Sequence, residues 1–341
     1  MSAQELRVTS SVSAEISRNL ALELVRVTET GALASARWMG RGDKNQADGA
    51  AVEAMRRALG KIEMDGVVVI GEGEKDEAPM LYIGERIGTG SPPEVDIAVD
   101  PVEGTTLLSK GLPNAISVIA MAGGHGSLYD AKHVAYMHKL ATGADAAGSF
   151  NIEDPVHVNL QRIARAKRMR VSALTVVILD RPRHEEIIKQ VRETGARIKL
   201  ISDGDVAGAL MTAIEGTGLD VLMGIGGATE AVLSACALKS LGGEIQCKLY
   251  ARNPEEKERA EGEGADFDQV LGIDDLVRSD DVFFAATGIT DGEVLRGVKY
   301  HMNWAETESL VTRSRSGTVR RIYARHHWGY KSREWLGEAE G

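Results

Sequence analysis

The chain has 341 residues, with 50 acidic against 40 lysine and arginine residues, and a formal net charge of −10. Hydrophobic residues at 43% and charged residues at 26% are ordinary for a soluble globular chain long enough for about two domains. The negative balance argues against general binding to nucleic acid or an anionic membrane, and no apolar run approaches the ~18 residues of a membrane span. Residues 1–11 lack the apolar core of a secretory signal. The two cysteines, Cys236 and Cys247, have no metal spacing and read as buried thiols in a reducing cytoplasm.

Along the chain, Ser13 precedes a long helical pattern. Ile16, Leu20, Leu24, Val27, Gly31, Ala34 and Trp38 recur at steps of four and three, forming one apolar face for a core or subunit contact. A glycine-containing loop (40–45) leads to a second helix with Val52, Met55, Leu59 and Ile62 inward. Asp48, near its start, is read either as a residue favoured by the helix dipole or as a ligand. A short buried strand, Val67 to Ile70, runs into Gly71-Glu72-Gly73-Glu74-Lys75-Asp76-Glu77. Such a charge run is often only a solvated face, but here the strand end and the glycines favour a ligand loop.

A second apolar run, Val95 to Val99, ends in Asp100-Pro101 and a Gly-Thr-Thr turn. Proline cannot donate to a sheet ladder, so the strand must stop or bulge there. Asp100 and Glu103 flank the turn, with the hydroxyls of Thr105 and Thr106 beside them. Ala115 to Met121 and Val134 to Leu140 read as strands, Gly123-Gly124 as a hairpin turn, and Asp154-Pro155 as the cap and first turn of a helix reaching about Arg168. The basic cluster Arg162 to Arg170 suits that helix's C-terminus.

From Leu174 the rhythm changes. Strands at 174–179, 197–201, 219–223 and 244–249 alternate with helices at 182–194, 205–215 and 229–241. This repetition predicts a mainly parallel sheet in a second lobe, with the boundary near 165–173. The expected division is an N-terminal α+β lobe (1–168), a C-terminal α/β lobe (169–330) and a polar tail (331–341). Strand ends carry polar groups: Arg181 and Arg183, then Asp203-Gly204-Asp205, then Gly224 to Glu230. Ligands bind at such carboxyl ends, and a glycine-rich turn before a helix suits an anion, although that signal alone is weak. Residues 254–280 look helical and charged, 282–286 a strand, and 320–325 an edge strand. His326 and His327 are adjacent, so they point to opposite sides of a strand and make poor joint ligands.

If Asp48, Glu72, Asp100 and Glu103 converge, like charges ~4 Å apart repel by roughly 4 kcal/mol at an effective dielectric of ~20. Such a cluster requires protons or cations. Hard oxygen donors point to Mg²⁺ or Mn²⁺, and a two-metal carboxylate site suits phosphate-ester hydrolysis. Arg181, Arg183 and the 224–229 loop would then hold phosphate. The absence of a Gly-x-x-x-x-Gly-Lys-Ser/Thr loop disfavours a P-loop ATPase.

Asp-Pro-Val-Glu-Gly-Thr (100–105) resembles the signature of the metal-dependent, lithium-sensitive phosphatase superfamily. Gly-Arg-Gly-Asp-Lys-Asn (40–45), Ala-Asp-Gly-Ala-Ala (47–51), Ile-Gly-Glu-Gly-Glu (70–74), Arg-Pro-Arg-His (181–184), Asp-Gly-Asp-Val-Ala (203–207), Gly-Ile-Gly-Gly (224–227) and Ala-Thr-Gly-Ile-Thr (286–290) narrow the match. Together they are similar to bacterial class II fructose-1,6-bisphosphatase over about residues 20 to 325. The resemblance implies a layered α/β/α/β/α sandwich with the active site between two lobes. It implies Asp48 and Glu72 as ligands of one Mg²⁺ or Mn²⁺, and Asp100, Glu103 and Glu230 of another. Thr105 would orient the attacking water, with Asp76 as a helper. Glu103, Gly104, Thr105, Tyr136, Arg181, Pro182, Arg183, Asp203, Gly204, Asp205 and Gly227 would contact the sugar bisphosphate. Family precedent and the apolar first helix imply a homo-oligomer, dimer or tetramer, in the cytoplasm.

Two departures stand out. Thr229 occupies a position where the family often has proline, and Gly88 to Glu94 is short where relatives that also take sedoheptulose-1,7-bisphosphate carry an insert. The expected reaction is hydrolysis of fructose-1,6-bisphosphate to fructose-6-phosphate in gluconeogenesis. The alternatives are sedoheptulose-1,7-bisphosphatase activity, another sugar or inositol phosphatase of the superfamily, and a non-catalytic sugar-phosphate sensor, which would need neither Thr105 nor the acidic loop.

Overall fold

A computed structural model describes residues 16–73 and 80–328. Asp76 and the tail 331–341 lie outside the described residues. Two sheets and three helical layers alternate. The first sheet has eight strands: β1 (Asp65–Ile70), β2 (Arg86–Ile87), β3 (Glu94–Glu103), β4 (Ile116–Gly123), β10 (Val282–Gly288), β11 (Lys299–Tyr300), β12 (Trp304–Arg313) and β13 (Thr318–His327). Their order is β11-β12-β10-β4-β3-β1-β2, with β13 on β12. The second sheet orders β7 (Arg197–Ile201), β6 (Thr175–Leu179), β8 (Val221–Gly227), β5 (Tyr136–Thr142) and β9 (Glu244–Tyr250).

Helices α1 (Leu20–Ser35) and α2 (Lys44–Leu59) cover the outer face of the first sheet. Helices α4 (Val156–Ala166) and α5 (Glu185–Glu193) cover the outer face of the second. Between the sheets lie α6 (Asp205–Ala213) and α7 (Ala228–Leu241). The short α3 (Thr105–Lys110) follows β3, and α8 (Pro254–Gly262) and α9 (Ile273–Leu276) fill the connection from β9 to β10. This is the α/β/α/β/α layering.

The layers follow from sequence periodicity. On β4, Val118, Ala120 and Ala122 face the middle layer, while Ile119 and Met121 face α1 and α2. A strand covered on both sides reads as a continuous apolar run, and Val-Ile-Ala-Met-Ala (118–122) is one. Helix α7 is buried on almost every side, which its alanines, Val232, Leu233 and Cys236 allow in a helix between two sheets. Cys236 and Cys247 are free and buried, and burial pushes both thiols up to about 12.

Several local expectations change. Strand β4 does not make a hairpin at Gly123-Gly124. The chain leaves the first sheet there, and β5 joins the second, antiparallel to both β8 and β9. Only β7-β6-β8 is parallel, so the second sheet is mixed. The sheets also draw on both sides of residue 168: β5 precedes it, and β10 to β13 return to the first sheet. Pro155, not Asp154, is the N-cap of α4, and Asp154 pairs with Arg162 instead. Residues 254–280 hold two short helices, not one long one. His326 is buried and bonded to Thr307 at 2.8 Å, while His327 is exposed.

The packing of α1 explains Gly31. A Cβ there would meet Ser117 Oγ at 2.6 Å and Met55 Sδ at 2.8 Å. Overpacking should outweigh any gain in helix propensity. Gly31→Val is expected to lower unfolding stability by roughly 1–3 kcal/mol in denaturant titration, and an unchanged midpoint would contradict the close approach of α1, α2 and β4.

Candidate active site

The site is built where strand ends from both sheets meet. Strand β3 does not stop at Asp100-Pro101 but bulges. Asp100 pairs with Val118 and Glu103 with Ile116, so three steps on β3 answer two on β4. Asp100 Oδ1 accepts the Val102 N–H at 3.0 Å and holds the bulge. The chain then turns through Gly104, whose φ of 86° is left-handed, into α3. In the second sheet the end of β7 leads to Gly204, at φ 84°, and into α6.

These two helix starts cap one another. The Val206 N–H at the start of α6 donates to Glu103 Oε1 at 2.8 Å. The Thr106 N–H at the start of α3 donates to Asp203 Oδ2 at 3.3 Å. Each helix takes its acceptor from the loop that precedes the other, which satisfies free N–H groups at each helix start. Lys44, at the start of α2, donates to Thr106 Oγ1 at 2.8 Å. Thr105 Oγ1 donates to Val102 O at 3.1 Å.

Five expected metal ligands are brought into electrostatic contact. Asp48 lies in the second turn of α2, where Asp43 already acts as N-cap by accepting the Gln46 N–H, so capping does not explain Asp48. The Asp48 and Glu72 carboxyls lie against one another, and so do those of Asp100 and Glu103. Two carboxylates so placed repel unless one keeps a proton or a cation lies between them. Burial, reinforced by Asp48 and Asp100, pushes Glu72 up to about 9. Burial raises Asp100 to about 6. It raises Glu103 well above the usual carboxylate range, with Asp100, Glu230 and Asp205 adding to it. Burial and the charge of Asp205 lift Glu230 to about 8.

Glu230 stands in the first turn of α7, and its Oε2 is buried without a hydrogen-bond partner. Gly227 makes room for it: a Cβ at 227 would lie 1.4 Å from that oxygen. Gly226 does the same for Asp205, whose Oδ2 would lie 1.8 Å from a Cβ. The glycine-rich strand end therefore forms a cradle for carboxylates. An all-oxygen donor set of crowded carboxyls, with an orphaned oxygen, fits hard divalent cations.

The remaining expected residues border this wall. Tyr136 pairs with Gly227 across β5 and β8. The Arg183 guanidinium lies 4.8 Å from the Tyr136 ring centre and donates to Ile225 O at 2.9 Å and 3.2 Å. Arg181 Nη1 bonds to Asp180 O, and Pro182 opens a short 3₁₀ turn ending at His184. His184 Nδ1 meets Leu179 O at 2.6 Å and its Nε2 accepts the Ile225 N–H at 2.7 Å, which specifies a neutral ring protonated at Nδ1.

Sequence reasoning gave no role to His184, Lys44 or Lys139. Lys139 is 1% exposed on β5, and its Nζ donates to Asp205 Oδ2 at 2.7 Å. A lysine on the buried face of a strand, between Met137 and Ala141, is the signal that a buried counter-charge must exist. A separate group was also unforeseen: Asp65, Glu94 and His125 have ligand atoms within 4.8 Å of one another. It lies at the opposite ends of β1 and β3, includes none of the five expected ligands, and Asp65 there already pairs with Arg86 at 2.7 Å.

The sequence matches the family described as bacterial fructose-1,6-bisphosphatase, glpX-encoded, over residues 18–326. The chain belongs to that family. It is similar to fructose-1,6-bisphosphatase 1 class 2 of Escherichia coli K12, at 45% identity over 330 residues, covering 93% of this chain and 98% of the relative. Fructose-1,6-bisphosphatase class 2 from Escherichia coli O6:H1 and from Shigella flexneri match to the same extent. Family membership makes the chain a phosphoric monoester hydrolase, of a kind that depends on metal ions. No helix among the described residues is long and apolar enough to cross a membrane.

The raised carboxyls have a thermodynamic consequence. The metal-free folded chain keeps protons that the unfolded chain releases near pH ~4–4.5. Their contribution to stability is complete below that range and is lost as pH rises through about 6 for Asp100, about 8 for Glu230 and about 9 for Glu72. The Tm of chelator-stripped protein should fall from about pH 5 to about pH 9, and Glu72→Gln with Glu230→Gln should flatten the fall. Equal slopes in the two proteins would show that these acids are not the source.

Gly227→Ala tests the cradle. It must displace Glu230, so phosphatase activity should drop by of order 100-fold while far-UV circular dichroism is kept. Near-native turnover would show that Glu230 is not needed where the structure puts it.

Proposed function

We propose that the wall formed by Asp48, Glu72, Asp100, Glu103 and Glu230 is the catalytic centre for hydrolysis of fructose-1,6-bisphosphate to fructose-6-phosphate. The observation that carries this reading is the meeting of five carboxylates, from helices α2 and α7 and from the ends of β1 and β3, with Glu230 Oε2 left unpartnered. Asp48 and Glu72 would hold one divalent ion, and Asp100, Glu103 and Glu230 another, Mg²⁺ or Mn²⁺. When bound, such ions supply Lewis acidity, lowering the pKa of water and neutralising a leaving oxygen.

The chain's own groups do the rest. The Thr105 hydroxyl orients the attacking water, and Asp76 assists it. Arg181 and Arg183 bring positive charge to the rim and hold phosphate, with Pro182 setting the turn between them. The Asp203-Gly204-Asp205 loop, Tyr136, Gly104 and Gly227 shape the sugar site. The backbone bonds of Arg183 and His184 to Ile225 keep the glycine strand end in place. The reaction serves gluconeogenesis. We infer a homo-oligomer in the cytoplasm, from the apolar character of α1 and from family precedent.

Glu103→Gln is the direct test. The amide keeps an acceptor for the Val206 N–H, so the fold should survive. Phosphate release from fructose-1,6-bisphosphate should fall by roughly 100-fold or more. Turnover indifferent to chelator, or near-native turnover in the variant, would remove Glu103 from a metal site. A panel with sedoheptulose-1,7-bisphosphate and inositol phosphates decides the substrate among sugar phosphatases.

A further inference from the structure

Among the described residues, Lys139 is one of the largest side chains that are fully buried. It lies on β5 on the same face as Met137 and Ala141, which pack into the middle layer. Its Nζ is 2.7 Å from Asp205 Oδ2, and both residues are almost wholly buried. The pair rests on Gly226, where a Cβ would lie 1.8 Å from Asp205 Oδ2 and 3.0 Å from Lys139 Nζ. A cavity of about 10 Å³ beside it has room for one water at most. This is a dry ion pair, and breaking such a pair by removing one partner strands a buried charge.

The other oxygen of Asp205, Oδ1, is buried and has no hydrogen-bond partner. An unpaired buried acceptor is costly unless a ligand satisfies it. The neighbouring acids cannot do so once ionised, because carboxylates only accept. Glu230 also feels Lys139, but the contact at hydrogen-bond distance is with Asp205. A donor from outside the chain would satisfy it, and a sugar supplies hydroxyl donors.

We propose that Lys139 is a positioning residue for sugar recognition: it fixes Asp205 through Oδ2 so that Oδ1 accepts a hydroxyl of the sugar phosphate. This rests on the phosphatase reading above, and it separates sugar recognition from phosphate and metal binding. Lys139 touches neither substrate nor metal and acts only through Asp205.

The test is calorimetry on the full chain. Fructose-6-phosphate and inorganic phosphate are titrated into Mn²⁺-loaded protein, and Mn²⁺ into stripped protein, for wild type, Lys139→Met, Asp205→Asn and the double variant. Lys139→Met should weaken fructose-6-phosphate by about tenfold or more and leave inorganic phosphate and Mn²⁺ within about twofold. The double variant should be no weaker than Asp205→Asn, since one residue acts through the other. Asp205→Asn preserves side-chain shape and should show the same selective loss if Lys139→Met fails to fold. Unchanged fructose-6-phosphate binding, a parallel loss of Mn²⁺ or phosphate, or additive losses would each overturn the proposal. A wild-type chain that binds Mn²⁺ and phosphate but not fructose-6-phosphate would overturn the parent reading, and this one with it.

Discussion

The reciprocal capping of α3 and α6 is the constraint on which the site depends. Glu103 leaves the first sheet and binds the N-terminus of a helix that follows the second. Asp203 leaves the second sheet and binds the N-terminus of a helix that follows the first. Each bond satisfies a backbone N–H that the helix itself leaves free. The two strand ends are thereby held in register with one another, although β3 and β7 never pair. Every other acid of the site is positioned relative to that clasp. Asp100 sits in the bulge before Glu103, and Asp205 follows Gly204 into α6. Glu230 approaches from β8, the strand next but one to β7 in the second sheet.

The arrangement stores electrostatic stress and supplies only part of the relief. Four acids of the cluster have their charged forms disfavoured by burial and by each other. Lys139 is the one fully buried ammonium group among the described residues that faces this cluster, and it neutralises one carboxylate. Burial alone would lower its pKa, yet Asp205 and Glu230 hold it above the ordinary lysine value. The fixed cation therefore depends first on Asp205, the acid it touches. The charge that remains is matched to divalent ions, which carry two units each where a proton carries one. A cluster built only for stability would have been replaced at little cost by apolar residues.

Much of the second sheet was legible because its elements are locally encoded. The apolar runs that became β6 to β9 and the helices between them fall within two or three residues of expectation at most ends. The placement of β5 was not legible. Its sequence, Tyr-Met-His-Lys-Leu-Ala-Thr, states that it is a strand, but not that it inserts between β8 and β9. Partner choice across a sheet is a non-local decision, and the Gly123-Gly124 pair only marks where the chain can turn. The acids were legible one by one, at strand ends and beside glycines. Their convergence required the fold. Lys139 was visible as a charge between Met137 and Ala141 on one strand face, yet its partner lies 66 residues away in sequence.

Thr229 shows how structure can change the weight of a sequence departure. Proline at that place would stiffen the entry to α7 by fixing φ. Here the same segment is held by other means. Ile225 is bound on both sides, its N–H by His184 and its carbonyl by Arg183, and His184 is itself anchored to Leu179. Gly226 and Gly227 pair with Met137 and Tyr136 along β8 and β5. The turn into α7 thus leaves a strand already tied to its neighbours. Rigidity that a proline would lend through one dihedral comes instead from a hydrogen-bonded chain linking the ends of β6 and β8. Because that chain ends on the arginine over the Tyr136 ring, the same bonds that tie down the strand before Glu230 also fix Arg183.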